Sequence, residues 1–115
     1  MSIQCDFGEN ILNQIKDFCK KKPTEESCGI ILKCGDFVPC DNIARDKRKC
    51  FVIQPEELVF NEVAFIVHSH WQGPSRPSSL DKKCSDDFEI PFLIYSIPDD
   101  NFCLYQNKGV TKIKV

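Results

Sequence analysis

Two stretches, "AFIVHSH" (residues 64–70) and "IPFLIYSIP" (residues 90–98), are apolar almost without interruption. A strand with one wet face alternates apolar and polar side chains, whereas a continuous apolar run is buried on both faces and requires helices on either side of its sheet. The other segments fit that demand. "ENILNQIKDFCKKK" carries Ile11, Leu12, Ile15, Phe18 and Cys19 at steps of three and four, which predicts one apolar helical stripe, with Lys20 to Lys22 suiting its C-terminal end and Pro23 stopping it. "CGIILKCGDFVPCDNI" reads as a hairpin turning at Lys33 to Asp36 around Gly35, and Asp41 to Lys49 as a polar loop. "CFVIQ" (residues 50–54) is expected to be a strand, and "PEELVFNEV" a short helix opened by proline. "SSLDKKCSDDF" follows the proline-broken loop as a further helix. "FCLYQNKGVTKIKV" closes the chain as strand, turn at Asn107 to Gly109, and strand. Alternating helices and strands predict an α/β domain with a mixed β-sheet flanked by helices.

A length of 115 residues suits one hydrophobic core, so a single domain over residues 1–115 is expected. The formal net charge of −2 and a pI near 5.6 provide no concentrated positive field for a phosphate backbone, which argues against nucleic acid as partner. The basic clusters Lys20 to Lys22 and Lys47 to Lys49 have acidic neighbours and read as solvated charge. No run approaches the roughly 20 apolar residues that cross a bilayer, and the N-terminus does not read as an export signal.

The eight cysteines, at 5, 19, 28, 34, 40, 50, 84 and 103, are an even number that would suit disulfides. Without an export signal, and with several inside apolar runs such as "SCGIIL" and "NFCLY", they read instead as reduced, small buried hydrophobes. Cys34, Cys40 and Cys50 are a weaker alternative, a structural zinc site that no CxxC spacing supports.

Both histidines of the chain stand at the end of one apolar run. Alternate strand residues share a face, so His68 and His70 project together while Ser69 points the other way. Gly73, Pro74 and Pro77 then break the strand, and the next helix begins with Ser78 and Asp81. Serine followed three residues later by an acid matches a capping box, and a loop folding back over the strand end would also bring Asp81 beside the histidines. Two nitrogens and a carboxylate leave one tetrahedral position open, the arrangement of a catalytic zinc site and not of a structural one. Glu25 and Glu26, where "EESCGIIL" enters the sheet, are the candidate bases.

The spacing His68, Ser69, His70, seven residues, Ser78, two residues, Asp81 resembles the HSHxxxxxxxSxxD signature of the JAMM (MPN+, JAB) metalloproteases, and "ESCG" resembles the glutamate segment that precedes their first strand. The likeness spans nearly the whole chain. Its small size, the "PSSLD" wording and the strand "PFLIYSIPDDNFCLY" look most like the JAB domains of siphovirus tail assembly proteins of the K type. The resemblance implies a JAB/MPN fold, of cytidine-deaminase-like architecture. It implies zinc held by His68, His70 and Asp81 with water as fourth ligand, Glu26 as general base and proton donor, and Ser78 donating to the oxyanion. Ser69 would have a supporting role at most. The family often places the glutamate two residues after a proline, which points to Glu25, whereas counting back from "CG" points to Glu26; the strand starting at Cys28 favours Glu26. Cys84, one turn beyond Asp81, could approach the metal but reads as a packed helix cysteine.

The implied activity is hydrolysis of a peptide or isopeptide by a zinc metallopeptidase. Its partners would be phage tail proteins or wall peptides, with an NlpC-type peptidase domain as a frequent neighbour in such proteins, and the chain would stand alone or be excised from such an arrangement. It would act in the host cytoplasm during assembly or in the virion tail. The extra segments with which ubiquitin-cleaving relatives clamp their substrate are missing. A non-enzymatic tail-assembly or interaction module on the same fold is the alternative. A nucleobase deaminase is disfavoured, because its histidine or cysteine with glutamate two residues on, and its later PCxxC, are absent.

Overall fold

In the computed structural model, which describes residues 7–113, helix α1 (Glu9–Lys20) precedes a hairpin of β1 (Cys28–Leu32) and β2 (Phe37–Cys40). A loop leads to the short helix α2 (Pro55–Val59), then β3 (Val63–His70), α3 (Ser79–Phe88), β4 (Phe92–Ser96), β5 (Asn101–Gln106) and β6 (Gly109–Ile113). All the strands join one sheet in the order β2-β1-β3-β4-β5-β6. Only β3 and β4 run parallel, and α3 is the crossover between them; the other neighbours are antiparallel. The sheet is therefore mixed, as the sequence implies. Cys5 lies outside the described residues, as do the last two residues of the expected closing strand.

The two continuous apolar runs become β3 and β4 at the centre, and β4 is buried along its whole length. Alternation splits their side chains between two cores. On one face Leu12, Ile15 and Cys19 of α1 pack on Ile31, Val67, Leu93, Tyr95 and Phe102. On the other, Ile30, Ile66, Phe92, Ile94 and Tyr105 lie beneath Leu58 of α2, Cys84 of α3 and Phe51 of the intervening loop. At about 25 cal/mol per Å² of apolar surface removed from water, these two cores are the main source of stability. They place the C-terminal end of β3, with both histidines, on the second face.

The strand expected at Cys50–Gln54 does not form, and none of the sheet strands contains these residues. The segment is extended, but the Val52 N–H donates to the side-chain Oδ1 of Asn42 and the Val52 carbonyl accepts the Ile43 N–H, so it is paired within its own loop. A backbone donor given to a side chain is lost to a ladder, and Pro55 then opens α2. Strand-like composition here serves packing: Ile53 is buried and Phe51 lies on the second core.

Gly29 explains how tightly β1 and β2 meet. A Cβ at this position would lie 2.7 Å from the Phe37 ring and 2.8 Å from the Val38 carbonyl oxygen. Gly35, at φ +103°, supplies the left-handed step of the hairpin turn.

The seven described cysteines are all free thiols. Cys34, Cys40 and Cys50 do not converge on a zinc site. Cys34 is exposed at the hairpin turn, while the Cys40 thiol faces Glu57 and the Cys50 thiol faces the Asp46 carbonyl. Burial pushes the thiols of Cys19, Cys28 and Cys40 up to about 12. They are inert packing groups.

Candidate metal centre

His68 and His70 leave the same face of β3, and Asp81 meets them from the first turn of α3. Its carboxylate lies between the two rings, with Oδ1 3.1 Å from Nε2 of His68 and Oδ2 3.2 Å from Nε2 of His70. One ligand atom from each residue can be chosen so that all three lie within 4.8 Å of one another. The local sequence forces this placement. Ser78 caps α3 by accepting the Asp81 N–H at 3.1 Å, and Asp81 returns the bond by accepting the Ser78 N–H at 2.9 Å. The capping box therefore fixes the Asp81 rotamer and aims its oxygens at the histidines.

The loop between β3 and α3 sets the tautomer of His70. Its Nδ1 is 2.7 Å from the carbonyl of Pro74, which can only accept, so Nδ1 carries the proton. In the neutral ring Nε2 then presents a lone pair to a carboxylate oxygen. Two acceptors at 3.2 Å require a cation between them, either a proton or a metal ion. Gly73, at φ +90°, turns the loop, and its carbonyl accepts from the Ser96 hydroxyl at 2.8 Å.

His68 makes the stronger case. It is fully buried, and neither ring nitrogen makes a directed hydrogen bond, although Nε2 lies 3.1 Å from Asp81 and Nδ1 3.5 Å from Oε1 of Glu26. A fully buried imidazole whose two nitrogens face carboxylates, with no directed hydrogen bond to either, is an uncommon arrangement. Burial opposes a charge on this ring, but the carboxylates of Asp81 and Glu26 outweigh it and raise the pKa to about 9. The Asp81 carboxyl is also buried, and that effect is outweighed by His68, His70 and the Ser78 N–H, which hold it well below the usual carboxylate range. The centre is thus an anionic socket with two imidazoles, and the donor set fits a divalent ion of the zinc type.

Glu26 stands where β1 is about to begin, and its carboxylate reaches the ring of His68. Glu25 does not border the cavity that Glu26, His70, Ser78 and Asp81 share. Ser69, on the opposite face of β3, accepts the Ser27 N–H through Oγ at 2.9 Å and donates its own N–H to the Ser27 carbonyl at 3.0 Å. It thereby clamps the residue next to Glu26. Cys84 borders the same cavity from α3 but is not grouped with the three ligand candidates.

Two contributors were missed by sequence reasoning. Asn42 donates from Nδ2 to the carbonyls of Glu26 (2.8 Å) and Cys50 (3.0 Å), while its Oδ1 accepts the N–H groups of Ala44 and Val52, both at 3.0 Å. One side chain therefore ties Glu26 to the loop of residues 41–54. That loop carries Phe51, which stacks on His68 with centroids 4.4 Å apart and planes at 21°, shielding the ring from water. An asparagine in a polar loop reads as a turn residue, and only its long-range partners distinguish it.

The comparisons with known proteins bear on the fold and on the sequence. No family model matches the chain. Among solved structures, a JAB1/MPN domain protein from Archaeoglobus fulgidus superposes with a TM-score of 0.62 at 21% identity, over 91% of each chain. A protein from Desulfitobacterium hafniense gives 0.68 at 19% identity, over 92% of this chain and 87% of that one. The chain accordingly has an α/β fold of the JAB1/MPN kind. In sequence it is similar to the tail tip assembly protein K of Escherichia phage N15, at 31% identity over 91 residues, which is 73% of this chain. It spans 37% of the length of that relative.

Proposed function

We propose that the chain is a zinc-dependent peptidase or isopeptidase that hydrolyses an amide bond during phage tail assembly or in cell-wall peptide processing. The observation that carries this reading is the convergence of buried His68, His70 and Asp81, with ligand atoms within 4.8 Å of one another and Glu26 against the far nitrogen of His68. These three residues would hold the ion, whose chemistry when bound is to acidify a water molecule and polarise a carbonyl. Glu26 is the proton carrier of the scheme: its carboxylate takes a proton from the attacking water and delivers it to the departing nitrogen. Ser78 accepts the Asp81 N–H, which leaves its hydroxyl proton to be donated to the carbonyl oxygen as charge builds there. Loss of such a donor typically costs about 10²- to 10³-fold in rate. Phe51 excludes water from His68 and so strengthens the electrostatics of the site.

The likeness to a tail tip assembly protein supports a phage setting. A tail protein or a wall peptide would be the substrate, an NlpC-type peptidase domain a neighbour in the longer assembly, and the host cytoplasm during assembly or the virion tail the place of action. No helix among the described residues is long and apolar enough to cross a membrane.

Metal analysis of the purified chain tests the reading. Stoichiometric zinc is expected in the wild type and almost none in Asp81→Ala, with peptide hydrolysis lost on chelation and restored by zinc. A folded wild-type protein that takes up no zinc at neutral pH would overturn the proposal.

A further inference from the structure

A cavity of about 440 Å³ opens beside the group of His68, His70 and Asp81, and its walls combine two chemistries. Glu26, Lys49, His70, Gln72, Ser78 and Asp81 are its polar lining, while Phe51, Ile53, Leu58, Leu80, Cys84 and Phe88 form an apolar hollow that follows α3 from the Asp81 turn to its last turn. The α3 wall is regular. Leu80, Cys84 and Phe88 follow one another at four-residue steps and so form a ridge on one helix face, adjoining Asp81.

Cys84 packs on the second core, but the two ends of the ridge stand clear of it. Leu80 is 57% exposed and Phe88 54%, and across the cavity Val52 of the loop is 45% exposed. Large apolar side chains gathered at the rim of a concave, partly polar site mark a binding surface. The cavity volume lies in the range that takes a small ligand, which is enough for one large apolar side chain together with the backbone that carries it. An amide placed beside Asp81 would have room for its neighbouring side chain along the apolar wall of α3.

We infer that this hollow is the specificity pocket of the site and selects a peptide with a leucine- or phenylalanine-sized apolar side chain beside the scissile amide. Cleavage at that amide rests on the proposed hydrolytic reading, whereas the binding preference stands independently of it. Phe51 gives the arrangement its coupling: one ring covers His68 and lines the hollow, so side-chain recognition and the metal centre share a wall.

The test is binding of acetyl-Gly-X-Gly-amide peptides, with X as leucine, phenylalanine, glycine or glutamate, to the purified chain, followed by backbone amide shifts in NMR. Burial of a large apolar side chain is expected to make the leucine and phenylalanine peptides bind about tenfold or more tightly than the glycine peptide. The shifts should centre on residues 80–88 and 51–53. Cys84→Phe, which fills the hollow, should erase the preference. Leu80→Gln, at an exposed position, carries the same test if the first variant fails to fold. Equal affinity for the leucine, glycine and glutamate peptides, or a preference unchanged in both variants, would overturn the pocket. Zinc content and cleavage are scored separately. A protein that prefers the leucine peptide yet neither holds zinc nor cleaves any peptide supports the pocket and overturns the peptidase reading; one that cleaves all four peptides equally does the reverse.

Discussion

The side chain of Asn42 occupies all of its hydrogen-bonding capacity on backbone groups of Glu26, Ala44, Cys50 and Val52. Alanine at this position would leave four backbone partners to find water or stay unmade, at a cost of roughly 1–3 kcal/mol if even part of the set remains buried. Denaturant unfolding should record that loss, and a midpoint equal to wild type would disprove the role. Ser69 is comparable. It is fully buried and points away from the histidines, and Ser69→Ala would strip the Ser27 N–H of its acceptor. The expected destabilisation is again about 1–3 kcal/mol. Zinc stoichiometry should stay at the wild-type level in Ser69→Ala, because the hydroxyl faces the opposite side of β3 from the ligands; metal loss with the fold intact would show that this separation is wrong.

At the scale of elements, the β1–β2 pair tolerates no side chain at Gly29, where the contacts of 2.7 and 2.8 Å involve the Phe37 ring and the Val38 backbone. The ring could move, but the carbonyl could not without separating the strands. Gly29→Ala should therefore destabilise by about 1–3 kcal/mol, the usual cost of overpacking, and a melting temperature at or above wild type would contradict it. Local order also decides what could be read in advance. The α1 stripe is set by a periodicity of a few residues, the hairpin by its local turn and the two central strands by their unbroken apolar runs, and the His68, His70 and Asp81 group is local as well: a strand repeat of two aligns His68 with His70, and a capping box from Ser78 to Asp81 aims the carboxylate. The segment Cys50–Gln54 was misread because β-branched and aromatic residues suit any extended chain, and nothing local says that Val52 will pair with a side chain. The stacking of Phe51 on His68 and the reach of Asn42 to Glu26 are likewise contacts between distant segments. They became visible only when the fold brought those segments together.

The whole molecule divides its two faces between separate tasks. The α1 face is filled by apolar side chains, whereas the other face carries an apolar core bordered by the His68, His70 and Asp81 group and its cavity. Free thiols are buried on both sides, Cys19 under α1 and Cys28 and Cys40 on the opposite face, so their ionisation reports on the entire fold. Each ionises near 9 when unfolded and is pushed by burial to about 12 in the native state. Between those values the unfolded chain releases protons that the folded chain retains, so stability is complete below pH 9 and declines as the pH rises towards 12. Tyr95, in the α1 core, adds to the same trend: burial and its hydrogen bond to Asp100 hold its hydroxyl neutral above the usual phenol range. Urea midpoints measured on either side of pH 9 should therefore fall steadily with alkali, and more gently in Cys19→Ala compared with its own value at neutral pH. A midpoint that stays level through this window would mean that these thiols are open to water in the native state, and the two-core packing would then be wrong.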